Sequence, residues 1–298
     1  MVMMFRTLFG MLALVIGITG CAPANKGNVS TFLPVSQVQR DAVWAKIYQQ
    51  QLARRAGLEL FSSSGEFTLR SFEEDSSTWD QVDLRLWWSL PQHMAIRLST
   101  LGTRLALAGW NGVDWWIFDE TGDAPRLTVF NSESRDGGRS DLELVSPPLL
   151  LALSGIIEFP EQAPLDLGVS TDGEYFFSIP AGVSGRSVGR GITSFVFTLD
   201  SSGPTSVRCE DASGHCIMSS VLSRFKPVES RGLPKGAWPD MPFKIEVEVP
   251  SGESAMTRIT LTLDQPLAGK SVPKRMFDLT VLQDVIKPEE VIDWRNPQ

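Results

Sequence analysis

Ser184, the two histidines and one glycine-rich run are the features of this sequence from which enzyme chemistry could be built. Ser184 lies in GVSGR, which differs from the G-x-S-x-G pattern of an activated serine nucleophile. Residues 182–191 contain two arginines, but they lack the Lys-Ser/Thr pair of a phosphate-binding loop. His93 begins a β-type run and His215 adjoins a cysteine, so neither has a distinctive setting. The sequence therefore predicts no catalytic centre, no cofactor and a protein that is not an enzyme.

Cys209 and Cys216 bracket the sequence CEDASGHC, whose length fits the tip of a hairpin. In an exported protein this spacing favours a small disulfide loop. His215 makes a metal site a second interpretation, but such a site needs three or four ligands and the chain has only 2 histidines. The spacing therefore predicts a Cys209–Cys216 disulfide and no metal site.

The third cysteine, Cys21, stands at the end of an apolar run. Residues 1–7 carry one charge, Arg6, and residues 8–18 are apolar but shorter than the roughly 20 residues that a membrane-spanning helix needs. This layout is typical of a secretory signal peptide. The final residues, Ile18-Thr19-Gly20-Cys21, resemble a bacterial lipobox. The alternative is an ordinary signal peptide in which the cysteine occurs by chance.

The lipobox resemblance implies that Cys21 receives diacylglycerol on its sulfur, that cleavage occurs before it, and that an acyl chain such as palmitate then modifies the new amino terminus. It also implies an outer membrane lipoprotein that faces the periplasm, because the second residue is Ala22 rather than aspartate. The predicted organisation is a signal peptide over 1–20, a flexible tether over 21–34 and a single domain over 35–298. The predicted membrane contact is through lipidated Cys21 alone.

Charge excludes one class of partner. The chain has a formal net charge of −8, and loss of Arg6 with the signal peptide leaves 26 basic and 35 acidic residues, or −9. Nucleic-acid affinity is dominated by Lys and Arg contacts to phosphate, so an acidic chain without a basic run is not expected to bind nucleic acid.

Two helices stand out in a sequence that is otherwise β-rich. A helix is predicted over 36–55, with Ser36 and Gln39 as a capping box and an apolar stripe that includes Leu52. A short, wholly apolar helix is predicted over 147–154. The remaining runs predict ten to twelve antiparallel strands, because their connections are too short for crossover helices. Residues 84–90 and 114–118 carry bulky apolar side chains on both faces, which predicts strands covered on both sides.

Six tryptophans fall between residues 79 and 116. On consecutive antiparallel strands they would form a broad, rigid apolar wall. Two interpretations stay open, a filled core and a cavity for an apolar ligand. The candidate cavity residues, from two strands and the short helix, are Leu86, Trp88, Trp115, Ile117, Leu150 and Leu153.

The order of these elements resembles that of the LolA/LolB-like lipoprotein carriers. The matching segments are helix 36–55, the strand pair FTLRSF…VDLRLWWSLP, the segment LALAGWNGVDWWIFD and the run SPPLLLALSG. The resemblance implies a mainly β (α+β) fold, an incomplete antiparallel barrel whose concave face is covered by the amino-terminal helix and the short internal helix. It also implies binding of lipid or of the acyl chains of lipidated proteins, in lipoprotein sorting. The alternative is a structural or assembly lipoprotein of the envelope that uses the same fold to dock an unknown protein partner.

Overall fold

The structure is a computed structural model that describes residues 32–73, 76–131, 146–181, 191–250 and 256–295. The predicted signal peptide, Cys21 and most of the predicted tether lie outside these residues, as does Ser184.

Sixteen strands and three α-helices account for most of the described residues. In chain order they are β1 (Leu33–Pro34), α1 (Gln37–Gly57), β2 (Leu60–Glu73), β3 (Ser76–Ser89), β4 (His93–Thr100), β5 (Thr103–Trp110), β6 (Asp114–Asp119), β7 (Arg126–Asn131), α2 (Pro147–Leu153), β8 (Gly168–Val169), β9 (Tyr175–Pro180), β10 (Ser194–Asp200), β11 (Gly203–Glu210), β12 (Cys216–Pro227), β13 (Glu229–Ser230), β14 (Asp240–Pro250), β15 (Met256–Ala268), α3 (Leu279–Ile286) and β16 (Glu290–Asp293). Two 3₁₀ turns lie at Lys235–Ala237 and Lys274–Phe277.

All of these strands belong to one open sheet. Its order is β1-β8-β9-β10-β11-β12-β14-β15-β2-β3-β4-β5-β6-β7-β16, with β13 attached to β15. Neighbouring strands are antiparallel, as their short connections predict, except for the parallel pairs β13–β15 and β7–β16. The two outer strands do not pair with each other, so the sheet is an incomplete barrel. The predicted α+β half-barrel is confirmed.

The last residues of the predicted tether take part in this sheet. Leu33 and Pro34 form β1 and pair with Val169 and Gly168, and the Val35 N–H donates to the carbonyl of Leu167. The chain is therefore fixed to the sheet edge a few residues before α1 begins.

The larger apolar cluster, called here the inner cluster, lies on the face that α1 and α2 cover. It takes alternate residues from most strands, together with Trp44 and Ile47 of α1 and the leucines of α2. All seven residues of α2 are buried, which agrees with its uniformly apolar sequence. The concave face predicted to lie beneath two helices is thus covered in the structure.

A second apolar cluster, the outer cluster, lies on the opposite face of β5–β7. It contains Trp116 and Phe118 of β6 and is closed by Leu282 of α3. Since Trp115 and Ile117 belong to the inner cluster, β6 is covered on both faces, as predicted. The same prediction is wrong for residues 84–90, where Arg85 is exposed and Trp87 is only half-buried on the outer face, because the outer cluster does not extend to β3.

Helix α1 begins and ends close to the predicted bounds, but its details differ from the prediction. The Ser36 hydroxyl donates to Gln39 Oε1 at 3.0 Å and accepts no hydrogen bond from a backbone N–H of the first turn, so the predicted capping box is not formed. Leu52, predicted for the buried stripe, is 45% exposed. The buried face carries Gln51 and Arg54 in its place.

Candidate functional site

The six predicted cavity residues come together in the inner cluster. Leu86 and Trp88 lie on β3, Trp115 and Ile117 on β6, and Leu150 and Leu153 on α2. Every one of them is buried. The structure therefore brings residues that are up to 67 positions apart in the sequence into one apolar cluster.

Two stacked aromatic pairs stiffen this surface. Phe61 lies on Trp88 with ring centroids 3.9 Å apart, and Trp115 lies on Phe130 at the same distance. Both pairs are cross-strand neighbours, because the register joins Phe61 to Trp88 and Trp115 to Phe130. The Trp88 indole N–H also donates to the carbonyl of Leu58 at 2.7 Å, which fixes its ring. The tryptophans were predicted, whereas their phenylalanine partners depend on strand register.

The tryptophans of β3, β5 and β6 are divided between the two faces of the sheet. Trp88, Trp110 and Trp115 belong to the inner cluster, Trp116 belongs to the outer cluster, and Trp87 is half-buried on the outer face. Successive strand residues point to opposite faces, so the adjacent pairs 87–88 and 115–116 cannot lie on one side. Of these five tryptophans, Trp88, Trp110 and Trp115 therefore form the apolar wall of the inner face.

A further aromatic group lies under α1 at the other side of the half-barrel. Phe177 of β9 has its ring centroid 4.8 Å from that of Trp44 in an edge-on contact, and Phe159 lies 5.2 Å from both Phe177 and Phe197. Alternation in residues 175–180 and 194–200 was the signal that could have identified Phe177 and Phe197.

Polar side chains join α1 to the segment that follows α2. Gln51 Nε2 donates to the carbonyls of Gly155 at 3.0 Å and Ile157 at 2.8 Å. Arg54 Nη1 donates to the same Gly155 carbonyl at 2.9 Å, and Arg54 Nε donates to the carbonyl of Asp240 at 2.9 Å. These bonds fasten the two covering helices to each other and to the start of β14.

One more bond extends this attachment toward the amino end of α1. The Trp44 indole N–H donates to the carbonyl of Pro160 at 3.0 Å. Trp44 is also fully enclosed by apolar neighbours in the inner cluster. Together with Gln51 and Arg54, it fastens α1 to residues 155–160 over three helical turns, which makes α1 and this segment one covering layer.

The charge of Arg54 is unusual in this apolar setting. Burial lowers the pKa of its guanidinium to about 10, while the nearby charge of Asp240 partly opposes that effect. The group therefore stays protonated at neutral pH, stabilised chiefly by carbonyl oxygens. Its Nη2 is shielded from water and has no hydrogen-bond partner among the described residues. A buried cation with an unsatisfied donor favours any conformation that exposes it.

Cys209 and Cys216 lie at the β11–β12 hairpin, where both side chains are thiols and the predicted disulfide is not formed. A bulge pairs Cys209 with Met218 but Cys216 with Glu210, so the two side chains belong to opposite faces. Burial, the largest cause, raises the pKa of the Cys209 thiol well above its usual range. The Cys216 thiol donates to the carbonyl of Met218 at 3.4 Å.

Neither histidine lies at the covered face. His93 packs against Phe277 on the outer face with ring centroids 5.4 Å apart. His215 lies at an exposed hairpin tip, where its Nδ1 is 2.8 Å from the hydroxyl of Ser213. Among the described residues there is no group of three His, Cys, Asp or Glu side chains arranged to hold a metal ion. The chemistry that this face can offer is burial of apolar surface.

Solved structures with the same arrangement exist. A LolA superfamily protein from Nitrosomonas europaea superposes with a TM-score of 0.50 over 79% of this chain and 97% of its own, at 13% sequence identity. The fold is that of the LolA superfamily. A DUF1329 family protein from Desulfovibrio piger superposes on this LolA-like chain with a TM-score of 0.50, over 80% of this chain and 98% of its own, at 11% identity.

The sequence comparisons give a different outcome from the structural ones. No protein-family model matches this LolA-like chain, and no curated protein matches it either. Within the described residues, none of the helices has the length and apolar character required to cross a bilayer.

Proposed function

We propose that this protein binds the acyl chains of lipid or of lipidated proteins in its LolA-like half-barrel, while Cys21 tethers it to the outer membrane from the periplasmic side. The observation that carries the proposal is the inner cluster, an apolar face that spans most of the sheet and is covered by α1 and α2. Two aromatic pairs and the leucines of α2 line the part of this face that the sequence indicated.

Binding would be driven by removal of apolar surface from water. Each buried methylene group contributes about 0.8 kcal/mol, so a long acyl chain would offset part of the cost of moving the two helices away from the sheet. The bonds from Trp44, Gln51 and Arg54 to residues 155–160 hold the covering layer closed. Movement of this layer would admit and release the chains, and no covalent step is needed.

The tether belongs to the same proposal. It rests on the lipobox resemblance at residues 18–21 and on the layout of residues 1–18. A lipid-modified Cys21 would keep the half-barrel within reach of the membrane from which an acyl chain is taken or to which it is delivered. Involvement in lipoprotein sorting is part of the same proposal and is supported by the LolA-like fold.

Extraction of the purified protein tests the proposal. The Cys21→Ala chain, purified from the periplasm without detergent and extracted with organic solvent, is expected to yield phospholipid or fatty acid by mass spectrometry. The matched control is the same preparation after denaturation and washing on a column, which should yield none. A native preparation that is as free of lipid as the control would contradict the proposal.

A second function, a structural or assembly lipoprotein of the envelope, is favoured by one specific observation. The six candidate cavity residues are buried by the protein's own side chains. A permanently filled interior would leave only the outside of the sheet for a protein partner. Under this alternative, the extraction gives no lipid and acyl probes do not compete for the interior.

A further inference from the structure

Two arginines lie directly opposite each other on the outer face of the sheet. The antiparallel register of β3 and β4 pairs Arg85 with Arg97, and cross-strand partners have Cβ atoms only about 5 Å apart. Arg104 of β5 is close enough to affect Arg97 as well. Like charges placed directly opposite each other destabilise a sheet, so this arrangement calls for a compensating anion.

The residues that the structure describes do not supply that anion to the pair. Elsewhere in the described residues arginines contact carboxylates, for example Arg258 with Glu248 at 2.6 Å and Arg126 with Glu290 at 2.7 Å. Within the same part of the chain, neither Arg85 nor Arg97 forms an ion pair with an acidic side chain.

Among the described residues, the acids nearest to the pair in the sheet form no ion pair with it. Asp83 precedes Arg85 by two residues on the same exposed face. Glu120 is held by Arg104. Partial burial, followed by the charges of Arg85 and Arg104, lowers the pKa of Arg97. An external oxyanion placed between the two guanidinium groups would offset the repulsion between Arg85 and Arg97.

The surroundings of the pair indicate which kind of anion fits. Trp87 follows Arg85 by two residues on the same face and is half-buried, and its register partner is Ala95. On the other side of β3, the register partners of Trp87 and Arg85 are Ser62 and Ser64, whose side chains are short. A partly exposed tryptophan beside arginines is a combination typical of protein surfaces that contact membrane interfaces.

A separate part of the chain adds positive charge nearby. The 3₁₀ turn Lys274–Phe277 packs on the outer face of β4, with Phe277 against His93. Its Lys274 and Arg275 are exposed. Lys274 and Arg275 therefore add positive charge to the face that carries Arg85 and Arg97, in a chain whose net charge is −8. Overall charge alone would repel this protein from an anionic surface.

We propose that Arg85, Trp87 and Arg97 form a membrane-contact site that binds the phosphate groups of anionic phospholipids. Each guanidinium donates two N–H groups to phosphate oxygens, for which its planar geometry is suited, and Trp87 enters the headgroup region. The site orients the outer face of β3 and β4 toward the bilayer and leaves the layer of α1 and α2 on the opposite side. It does not depend on what the inner cluster binds.

Sedimentation with vesicles tests this site. The Cys21→Ala chain is mixed either with vesicles of phosphatidylglycerol and phosphatidylcholine or with vesicles of phosphatidylcholine alone. The quantity measured is the binding to the anionic vesicles in excess of the binding to the phosphatidylcholine vesicles. The double variant Arg85→Gln/Arg97→Gln should lower that excess binding about thirtyfold, since one basic residue near an anionic surface contributes roughly 1 kcal/mol. Raised salt should abolish the difference.

The matched control is Arg224→Gln/Arg231→Gln, which removes the same charge from two exposed arginines elsewhere. Equal loss in both double variants, or no loss in either, would overturn the proposal. The proposal would also be overturned if inorganic phosphate, at constant ionic strength, displaced the protein from anionic vesicles as effectively as unlabelled vesicles do, because the site would then bind the free ion. Arginine-dependent binding to polyglutamate without binding to vesicles would assign the site to an acidic protein and would also overturn it.

Discussion

At the residue scale, the attachment of α1 depends on two polar side chains that an apolar stripe cannot reveal. Sequence periodicity predicts Leu52 for the buried face, but Gln51 and Arg54 are buried instead. The reason is that the carbonyls of Gly155 and Ile157 lie beneath the helix and need donors. These carbonyls lie in the segment that follows α2, and their position beneath α1 is set by tertiary packing. This part of the site could therefore not be predicted from the sequence.

Replacement of Gln51 tests the attachment. Gln51→Ala should lower the free energy of unfolding by about 1–3 kcal/mol, because it removes three hydrogen bonds, including the one that Gln51 Oε1 accepts from Arg54, and leaves the buried Ile157 carbonyl without the donor that Gln51 supplies. Gln50→Ala, at the exposed neighbouring position, should change it by less than about 0.5 kcal/mol. Urea denaturation measures both, and equal effects of the two substitutions would show that Gln51 does not fasten the helix.

At the element scale, β6 separates the two apolar clusters with consecutive residues. Trp115 and Ile117 face the layer of α1 and α2, while Trp116 and Phe118 face α3. Bulk on both faces was visible in the sequence of β6, whereas the same pattern in β3 was misleading. The difference is that α3 covers the outer face at β6 but not at β3. The sequences of β3 and β6 alone cannot show where α3 will pack.

The contact between β5 and β6 gives a test of the outer cluster. Gly109 lies beneath the Trp116 indole, and a Cβ atom at that position would be 2.6 Å from the ring. Gly109→Ala should therefore destabilise the protein by about 1–3 kcal/mol and loosen α3. Gly236→Ala, where a Cβ would meet nothing within 4 Å, is the control. Unfolding curves and amide exchange in residues 279–286 measure the effect, and a neutral Gly109→Ala would contradict the packing described.

The edge strand β16 should respond to acid. Hydrogen bonds from Arg295 lower the pKa of Asp293 below its usual 3.8, so this carboxylate stabilises the folded state above that pH. The contribution is lost as the pH falls from 3.8 through the lowered value, because protonation removes the bond to Arg295. Amide protection in residues 290–293 should fall in this range, and Asp293→Asn should remove the dependence. Unchanged acid sensitivity in the variant would exclude this pair as its cause.

At the scale of the whole molecule, the half-barrel was predictable because its signals are local and repeated. Strand alternation, short connections and two apolar helices define an open antiparallel sheet with one covered face. The exact pairing was not predictable, since β2 lies between β15 and β3 and so joins segments about 190 residues apart. The bulge at Cys209–Glu210, which separates the two thiols, is likewise a property of register.

Membrane attachment is predicted to depend on one residue. Cys21→Ala should move the protein from the membrane fraction to the soluble fraction of the periplasm, because no acyl chain would then be attached. Immunoblotting of fractions washed with high salt measures this, since the wash also removes electrostatic contacts such as that of Arg85 and Arg97. Persistence of the variant in the washed membranes would refute the tether.

The central claim, that the inner face accepts acyl chains, can be tested by mapping where such a chain lies. A photoreactive palmitate analogue is incubated with the Cys21→Ala chain, activated by light and located by mass spectrometry of peptides. The account predicts labels on the inner cluster, in peptides that contain Trp88, Trp115 and the leucines of α2, and their loss in competition with unlabelled palmitate. Labels confined to the outer face, or no label that palmitate displaces, would contradict it.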